Sequence, residues 1–263
     1  MIKFLQISFI LISFGISNNY SDKRYHNPEN TSMIPAEILG RNDRKYADQS
    51  GNRVLCRFYN QGSIGDQSSS FSGVYPIGSG HSYIWEFSPV VAASVVDTNG
   101  NRKHIVSDGI RGLSDNSPEG TPWTFEPLSG YANPNQENLA MSDNMNSWPS
   151  SWPNKPDDWS GQWNGQYGKY VRADQESFYV MDDFFNSEFE FWPDNNDKPE
   201  TTLSDPDENR RGLGLQIESR GYQWNHPAAE DIVIVTYWIT NIGSNVLDSV
   251  VFGMYGDADI GGS

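Results

Sequence analysis

The chain has 263 residues, a formal net charge of −16 and an aromatic content of 13%. So strong an acidic field repels phosphate backbones, which argues against nucleic acid as a partner. Cys56 is the only cysteine, so neither an intrachain disulfide nor a cysteine-based metal cluster can form.

Residues 1–17 have the pattern of a secretory signal peptide. Lys3 supplies a positive charge, residues 4–16 are mostly apolar, and Gly15 and Ser17 are small residues at a spacing suited to cleavage. This apolar run is shorter than the roughly 20 residues that a membrane span requires, and no later stretch is apolar enough to cross a bilayer. We therefore expect a secreted or cell-surface protein with no transmembrane segment after removal of the signal.

Residues 18–50 are polar, mixed in charge and without a period, which predicts a leader of low order. From residue 51 onwards, apolar runs alternate with turn-forming residues, and the expected fold class is all-β, a β-sandwich with long aromatic-rich loops. Asn99-Gly100 predicts a hairpin, and Cys56 is expected to be a buried apolar residue on a strand. The predicted strands are 53–60, 83–87, 90–96, 103–106, 177–181, 213–220, 232–239 and 250–255.

Five of the nine tryptophans fall within residues 115–170, amid Pro, Gly, Asn and Ser. This stretch shows neither a helical nor a strand period and is predicted to be a long insertion in the sandwich. The favoured interpretation is that indole rings fasten the loops to the sandwich. The alternative is a carbohydrate site in which exposed indoles stack on sugar rings, and the candidate glycan-binding residues are Trp148, Trp152, Trp159 and Trp163.

The clearest local pattern lies near the end of the chain. Two apolar runs flank the turn at 241–245 and predict a β-hairpin over 232–255 that contributes to the sandwich core. The chain then stops at residue 263, in a loop after Asp257 and Asp259, with nothing that looks like a terminal strand. We expect the sequence to be the N-terminal part of a larger multidomain protein.

No familiar catalytic signature is present: there is no Gly-x-Ser-x-Gly elbow, His-Glu-x-x-His helix or Walker loop. Asp182, Asp183 and Glu188 lie among aromatics, as glycosidase carboxylates often do. Adjacent residues of a strand point to opposite faces, however, so the first two would not converge if that segment is extended. We assign no catalytic residue.

The acidic loop that holds Asp257 and Asp259 is the candidate metal site. Carboxylate oxygens are ligands that Ca²⁺ prefers, and the two residues follow an apolar run at alternate positions. A complete site would need further ligands from elsewhere. Calcium is therefore the one cofactor that the sequence suggests.

Several stretches together resemble a group of large, mostly uncharacterised exported proteins of environmental bacteria. The stretches are 76–80, 123–131, 173–183, 212–216, 221–224, 230–232, 237–243 and 251–262. Many members of the group end in a C-terminal sorting domain for type IX secretion. The resemblance implies a secreted β-sandwich but carries over no catalytic residue.

These observations favour an exported, non-enzymatic surface or extracellular protein that acts in adhesion, scaffolding or display. Its expected partners are extracellular polysaccharide or other surface proteins. The alternative is a carbohydrate-binding module or a glycoside hydrolase that uses the tryptophan-rich region and the acidic residues.

Overall fold

A computed structural model describes residues 43–65, 71–97, 99–110, 123–153, 155–184, 186–189, 211–243 and 245–259. The predicted signal peptide and most of the predicted leader lie outside these residues. The strands are β1 (Tyr46–Gln49), β2 (Cys56–Tyr59), β3 (Ile84–Val96), β4 (Arg102–Asp108), β5 (Glu126–Pro127), β6 (Ala140–Met141), β7 (Gln175–Asp182), β8 (Leu215–Gln223), β9 (Ile234–Asn241) and β10 (Asp248–Ala258). The predicted all-β class is confirmed.

The strands form two antiparallel layers. In the first layer β3 lies between β10 and β4, and the β1–β2 pair joins it through single bridges of Ile64 to Phe58 and Phe87. In the second layer the order is β5-β7-β8-β9, and β6 also pairs with β7. No helix in the described part of the chain is both long and apolar enough to cross a membrane.

One hydrophobic core fills the space between the layers. Phe58, Val91 and Ile105 enter it from the first layer, and Met181 and Ile217 enter it from the second. All five are almost fully buried, as expected when apolar residues alternate along strands that present one face to a core. Cys56 is buried in the same cluster, which confirms the sequence-based expectation for the free thiol.

The hairpin predicted at Asn99-Gly100 is confirmed, because β3 and β4 pair antiparallel with Val96 opposite Arg102. The Asp97 carboxylate accepts the backbone N–H groups of Asn99 and Asn101 and closes the turn. The separate strands predicted at 83–87 and 90–96 are one continuous strand, β3, that runs through Pro89. Proline has no backbone N–H to donate to a neighbouring strand. It is tolerated at this position because the adjacent Val90 pairs with Asp108, the last residue of β4.

The hairpin predicted over 232–255 is wrong. β9 pairs with β8 in one layer, whereas β10 pairs with β3 in the other, so the link between them crosses the sandwich. The two strands meet through side chains instead, with the ring centroids of Tyr237 and Phe252 5.7 Å apart. Two apolar runs around a turn suit a hairpin or a crossing equally well, and the choice depends on distant partners.

The ordered structure begins earlier than the sequence predicts, since β1 lies inside the segment interpreted as a leader. Ala47 and Gln49 are buried although their neighbours are polar. β1 pairs with β2, and the Arg57 guanidinium of β2 lies 2.7 Å from the Asp48 carboxylate and 4.2 Å from the Tyr46 ring. Cross-strand contacts, rather than apolar content, hold this short strand.

Candidate functional site

The tryptophan-rich residues form a third layer on the outer face of the second sheet. A second apolar cluster there joins Tyr131, Trp152 and Trp163 to Phe178 and Val180 of β7. Alternate residues of β7 face the inner core, so this strand is buried on both sides. The layer contains two short 3-10 turns, Met145–Ser147 and Asp157–Trp159, and the short strands β5 and β6 join its loops to β7 of the second sheet.

Indole N–H groups fix this layer by hydrogen bonds. Trp148 donates to the Met141 carbonyl at 2.6 Å, and Trp152 donates to the Gln162 carbonyl at 2.9 Å. Trp163 donates to the carboxylate of Glu176 at 2.7 Å. A buried indole N–H group needs a hydrogen-bond acceptor, and these three bonds connect the loop residues to each other and to the sheet.

The four candidate glycan-binding tryptophans do not form an exposed platform. Trp152 and Trp163 are only 3% and 2% exposed and contact each other edge to face. Trp148 and Trp159 are half-buried, and the Lys155 ammonium lies 4.8 Å from the ring centroid of Trp159. Trp152 and Trp163 are too buried to stack on a sugar, and they hold the loop layer in place, whereas Trp148 and Trp159 keep part of their surface exposed.

The buried carboxylates are occupied by donors from the chain itself. Arg44 binds Glu126 through two hydrogen bonds of 2.8 and 2.6 Å. Glu176 accepts the indole N–H of Trp163 and the backbone N–H groups of Arg172 and Ala173. These acidic side chains stabilise the structure.

Asp183 is a buried carboxylate whose three hydrogen bonds connect the two sheets. It accepts the backbone N–H groups of Leu213 and Leu215 at 2.6 and 2.7 Å and the hydroxyl of Ser107, a β4 residue, at 3.0 Å. Burial outweighs these bonds and raises the pKa of Asp183 to about 7. Gly212 lies so close that a Cβ there would be 2.3 Å from the Asp183 carbonyl oxygen.

The acidic residues considered for glycoside hydrolysis are placed differently from one another. Asp182 and Asp183 are buried, at 4% and 1% exposure, and Glu188 is half-buried beyond the end of β7. Both buried residues accept hydrogen bonds from nearby backbone or hydroxyl groups. The structure therefore does not present Asp182 and Asp183 as an accessible acid–base pair.

A cleft of about 550 Å³ opens where the tryptophan layer meets the start of β1. Phe178 and Val180 of β7 line it together with Trp152 and Pro153. Its polar lining residues include Asp43, Lys45, Asn60, Ser129, Ser150, Ser151, Lys155 and Asp157. A concave site that combines apolar surface with a few polar groups is the usual form of a small-ligand site.

Two polar groups of the cleft are partly withdrawn from water. Burial raises the pKa of Asp43 against the opposing effect of Lys45, and burial lowers the pKa of Lys155. Lys45 donates to the Gln136 carbonyl, and Asn60 bonds to the backbone of Asp43 and Lys45, which fixes this wall. The half-buried carboxyl and amine can respectively accept and donate hydrogen bonds to a bound molecule.

The candidate calcium residues lie at the end of β10. Asp257 is exposed, and Asp259 is half-buried and accepts the hydroxyl of Ser82 at 3.3 Å. Glu86, opposite Asp257 in the sheet, is buried and accepts the hydroxyls of two serines. No group of three or more metal-binding His, Cys, Asp or Glu side chains occurs among the described residues. Two carboxylates are fewer oxygen ligands than Ca²⁺ takes.

Sequence reasoning missed the cleft. Asp43 and Lys45 lie in the segment interpreted as a leader, and Lys155 lies in the middle of the tryptophan-rich loops. These residues are about 110 positions apart in the chain and are united by the docking of one loop layer against β1. No local motif marks such a site.

Comparison with protein-family models, with curated proteins and with solved structures gives no match for this chain.

Proposed function

We propose that this is an exported, non-enzymatic surface or extracellular protein that acts in adhesion, scaffolding or display. The observation that supports a non-enzymatic role is the use of the buried carboxylates. Glu126, Glu176 and Asp183 each have two or three donors from the chain's own backbone and side chains. Carboxylates committed in this way hold structure and are not available to a substrate.

Export itself is tested by the fate of residues 1–17. The full-length chain expressed in a Gram-negative host should appear outside the cytoplasm with its N-terminus at Asn18, because Gly15 and Ser17 provide the cleavage spacing. Mass spectrometry of the mature N-terminus gives the result directly. An uncleaved chain that stays in the cytoplasm would contradict the proposal. Retention of the protein in the cytoplasm of its natural host would also contradict the resemblance to type IX secreted proteins.

Carbohydrate binding is the second candidate function, and the cleft is the observation that favours it. Sugars offer apolar ring faces and hydroxyls, which suit a cleft that combines the accessible apolar residues Leu128 and Pro153 with the polar groups of Asp43 and Lys155. Because the charges of these two groups are opposite, the lining favours a polyhydroxylated ligand over a strongly charged one.

Retention on insoluble polysaccharides tests this second function. The folded protein should be retained on at least one glycan, and Lys155→Met should weaken retention because it removes a donor of the cleft. Lys103→Met is the matched control, since Lys103 is an exposed lysine on β4 outside the cleft. Equal retention of both variants, or no retention of the wild type, would remove the carbohydrate function from consideration.

Calcium binding at Asp257 and Asp259 stays a prediction. A thermal melt that rises in millimolar calcium and returns to its starting value with chelator would support it, because a ligand that binds only the native state stabilises that state. Asp257→Asn should abolish the rise. An unchanged melt of the wild type would eliminate the ion.

A further inference from the structure

Within the described part of the chain, the outer edge of β10 is unpaired. β10 (Asp248–Ala258) pairs with β3 along one side, and among the described residues no strand pairs with its other side. Half of the backbone N–H and C=O groups of such a strand point away from its neighbour and remain available for another strand.

The pairing of β10 with β3 shifts register near both ends of the strand, between Asp248 and Val251 and between Asp257 and Ala258, but the segment between these shifts lacks the features by which soluble proteins usually prevent strand addition. Residues 249–256 include neither a charged residue nor a proline, and the register with β3 is regular from Val251 to Asp257. Val251 is 60% exposed and Tyr255 is 39% exposed on the outer face. Edge strands are normally short or carry Lys, Pro or a bulge along their length, so a long, regular, apolar edge indicates a binding surface.

The hydrophobic core is also open on this side. Phe252 packs on Tyr237 of β9, and Met254 lies on the same face of β10 as Phe252 because it is two residues further on. Met254 is nevertheless 37% exposed. An added strand would cover Met254 with its own inward-facing side chains and extend the core by one strand.

We propose that the β10 edge binds an extended segment of a separate partner protein, which adds as an antiparallel strand. The segment carries alternating apolar side chains and a basic residue at its N-terminal end, opposite Asp257. Asp257 is exposed and forms no ion pair among the described residues, so a cation at that position gains a partner. A Cβ at Gly253 would meet nothing within 4 Å, which leaves room for a partner side chain on the outer face.

Charge argues against a second copy as the occupant. An antiparallel pair of identical β10 strands would bring the Asp248 end of one strand to the Asp257 end of the other. Asp248 already pairs with Arg102 at 3.2 Å, which reduces the local repulsion, but two chains of net charge −16 repel each other over longer range. A partner with a basic end avoids this repulsion and supplies a cation for Asp257.

A synthetic peptide of about nine residues, one lysine followed by alternating valine and threonine, is a suitable probe because it matches a typical strand length. The full chain should bind it, with amide chemical-shift changes centred on residues 249–257. Val251→Lys should weaken binding by about tenfold or more, since a lysine on the exposed edge opposes strand addition. Val246→Lys is the matched control: Val246 is 80% exposed but precedes β10.

A second form of the peptide makes the test independent of any variant's folding. Methylation of alternate backbone nitrogens, on the side that faces β10, removes the donors of the added strand and should abolish binding. Equal binding of the methylated peptide, or equal weakening by the two lysine variants, would overturn the proposal. So would a concentration-dependent dimer of the wild type that Val251→Lys dissociates, because the occupant would then be a second copy.

Discussion

The pH dependence of stability provides a direct test of the environment of Asp183. An unfolded aspartate has a pKa of about 3.9, whereas burial raises the pKa of Asp183 in the folded protein to about 7. Between these two values the folded state binds more protons than the unfolded state. Stability therefore falls as pH rises from about 4 to 7, and a difference of about three pH units corresponds to about 4 kcal/mol.

Asp183→Asn should remove this fall. The Asn oxygen can replace one carboxylate oxygen, but its NH₂ group then faces the backbone N–H of either Leu213 or Leu215. That mismatch costs about 1–3 kcal/mol at every pH. The variant should be less stable than the wild type near pH 4, and the difference should shrink or reverse above pH 7.

Urea denaturation followed by tryptophan fluorescence, repeated from pH 4 to 8, measures both curves. Asp97→Asn is a suitable control because hydrogen bonds, the first of them from the Asn101 backbone, lower the pKa of the exposed Asp97. The stability that Asp97 contributes is present above about pH 4 and is lost only as pH falls below that value, so Asp97→Asn should leave the change in stability between pH 4 and 7 unaltered. The reasoning is refuted if wild-type stability rises between pH 4 and 7 and Asp183→Asn removes that rise, since the hydrogen bonds to Asp183 would then outweigh its burial.

Three further substitutions test the packing, each by chemical denaturation. Gly212→Ala should cost more than about 3 kcal/mol or prevent folding, because its φ is +81° and a Cβ would strike backbone; Gly78→Ala, with φ +86° and open space, should cost about 1 kcal/mol. Trp163→Phe should cost about 2 kcal/mol by leaving a buried carboxylate without its indole donor, whereas Trp159→Phe should cost less because Trp159 is only half-buried. Arg44→Met should cost about 3–5 kcal/mol by removing a charged partner of the buried Glu126 carboxylate, and a loss below 1 kcal/mol would contradict that role.

The sequence by itself determined the elements whose causes are local. The sequence predicted a strand at 177–181, which lies within β7, alternating apolar residues predicted β8, and Asn99-Gly100 predicted the β3–β4 hairpin with its turn. The free cysteine on a strand was correctly expected to be buried. In these cases the residues that decide the conformation are neighbours in the chain, so their pattern is sufficient.

Only the tertiary structure decided which strands pair and where a site forms. The sequence pattern of β9 and β10 fits a hairpin, yet β9 pairs with β8 in one sheet and β10 pairs with β3 in the other. Strand pairing depends on strands that are far away in the sequence and on the core that both sheets share. β1 forms through cross-strand contacts of Arg57, a residue outside the segment itself. The cleft unites Asp43 with Lys155 only after the loop layer docks on β7. Contacts between residues that are far apart in the sequence do not produce a periodic pattern of apolar residues in either segment. These features are therefore visible only in the folded chain.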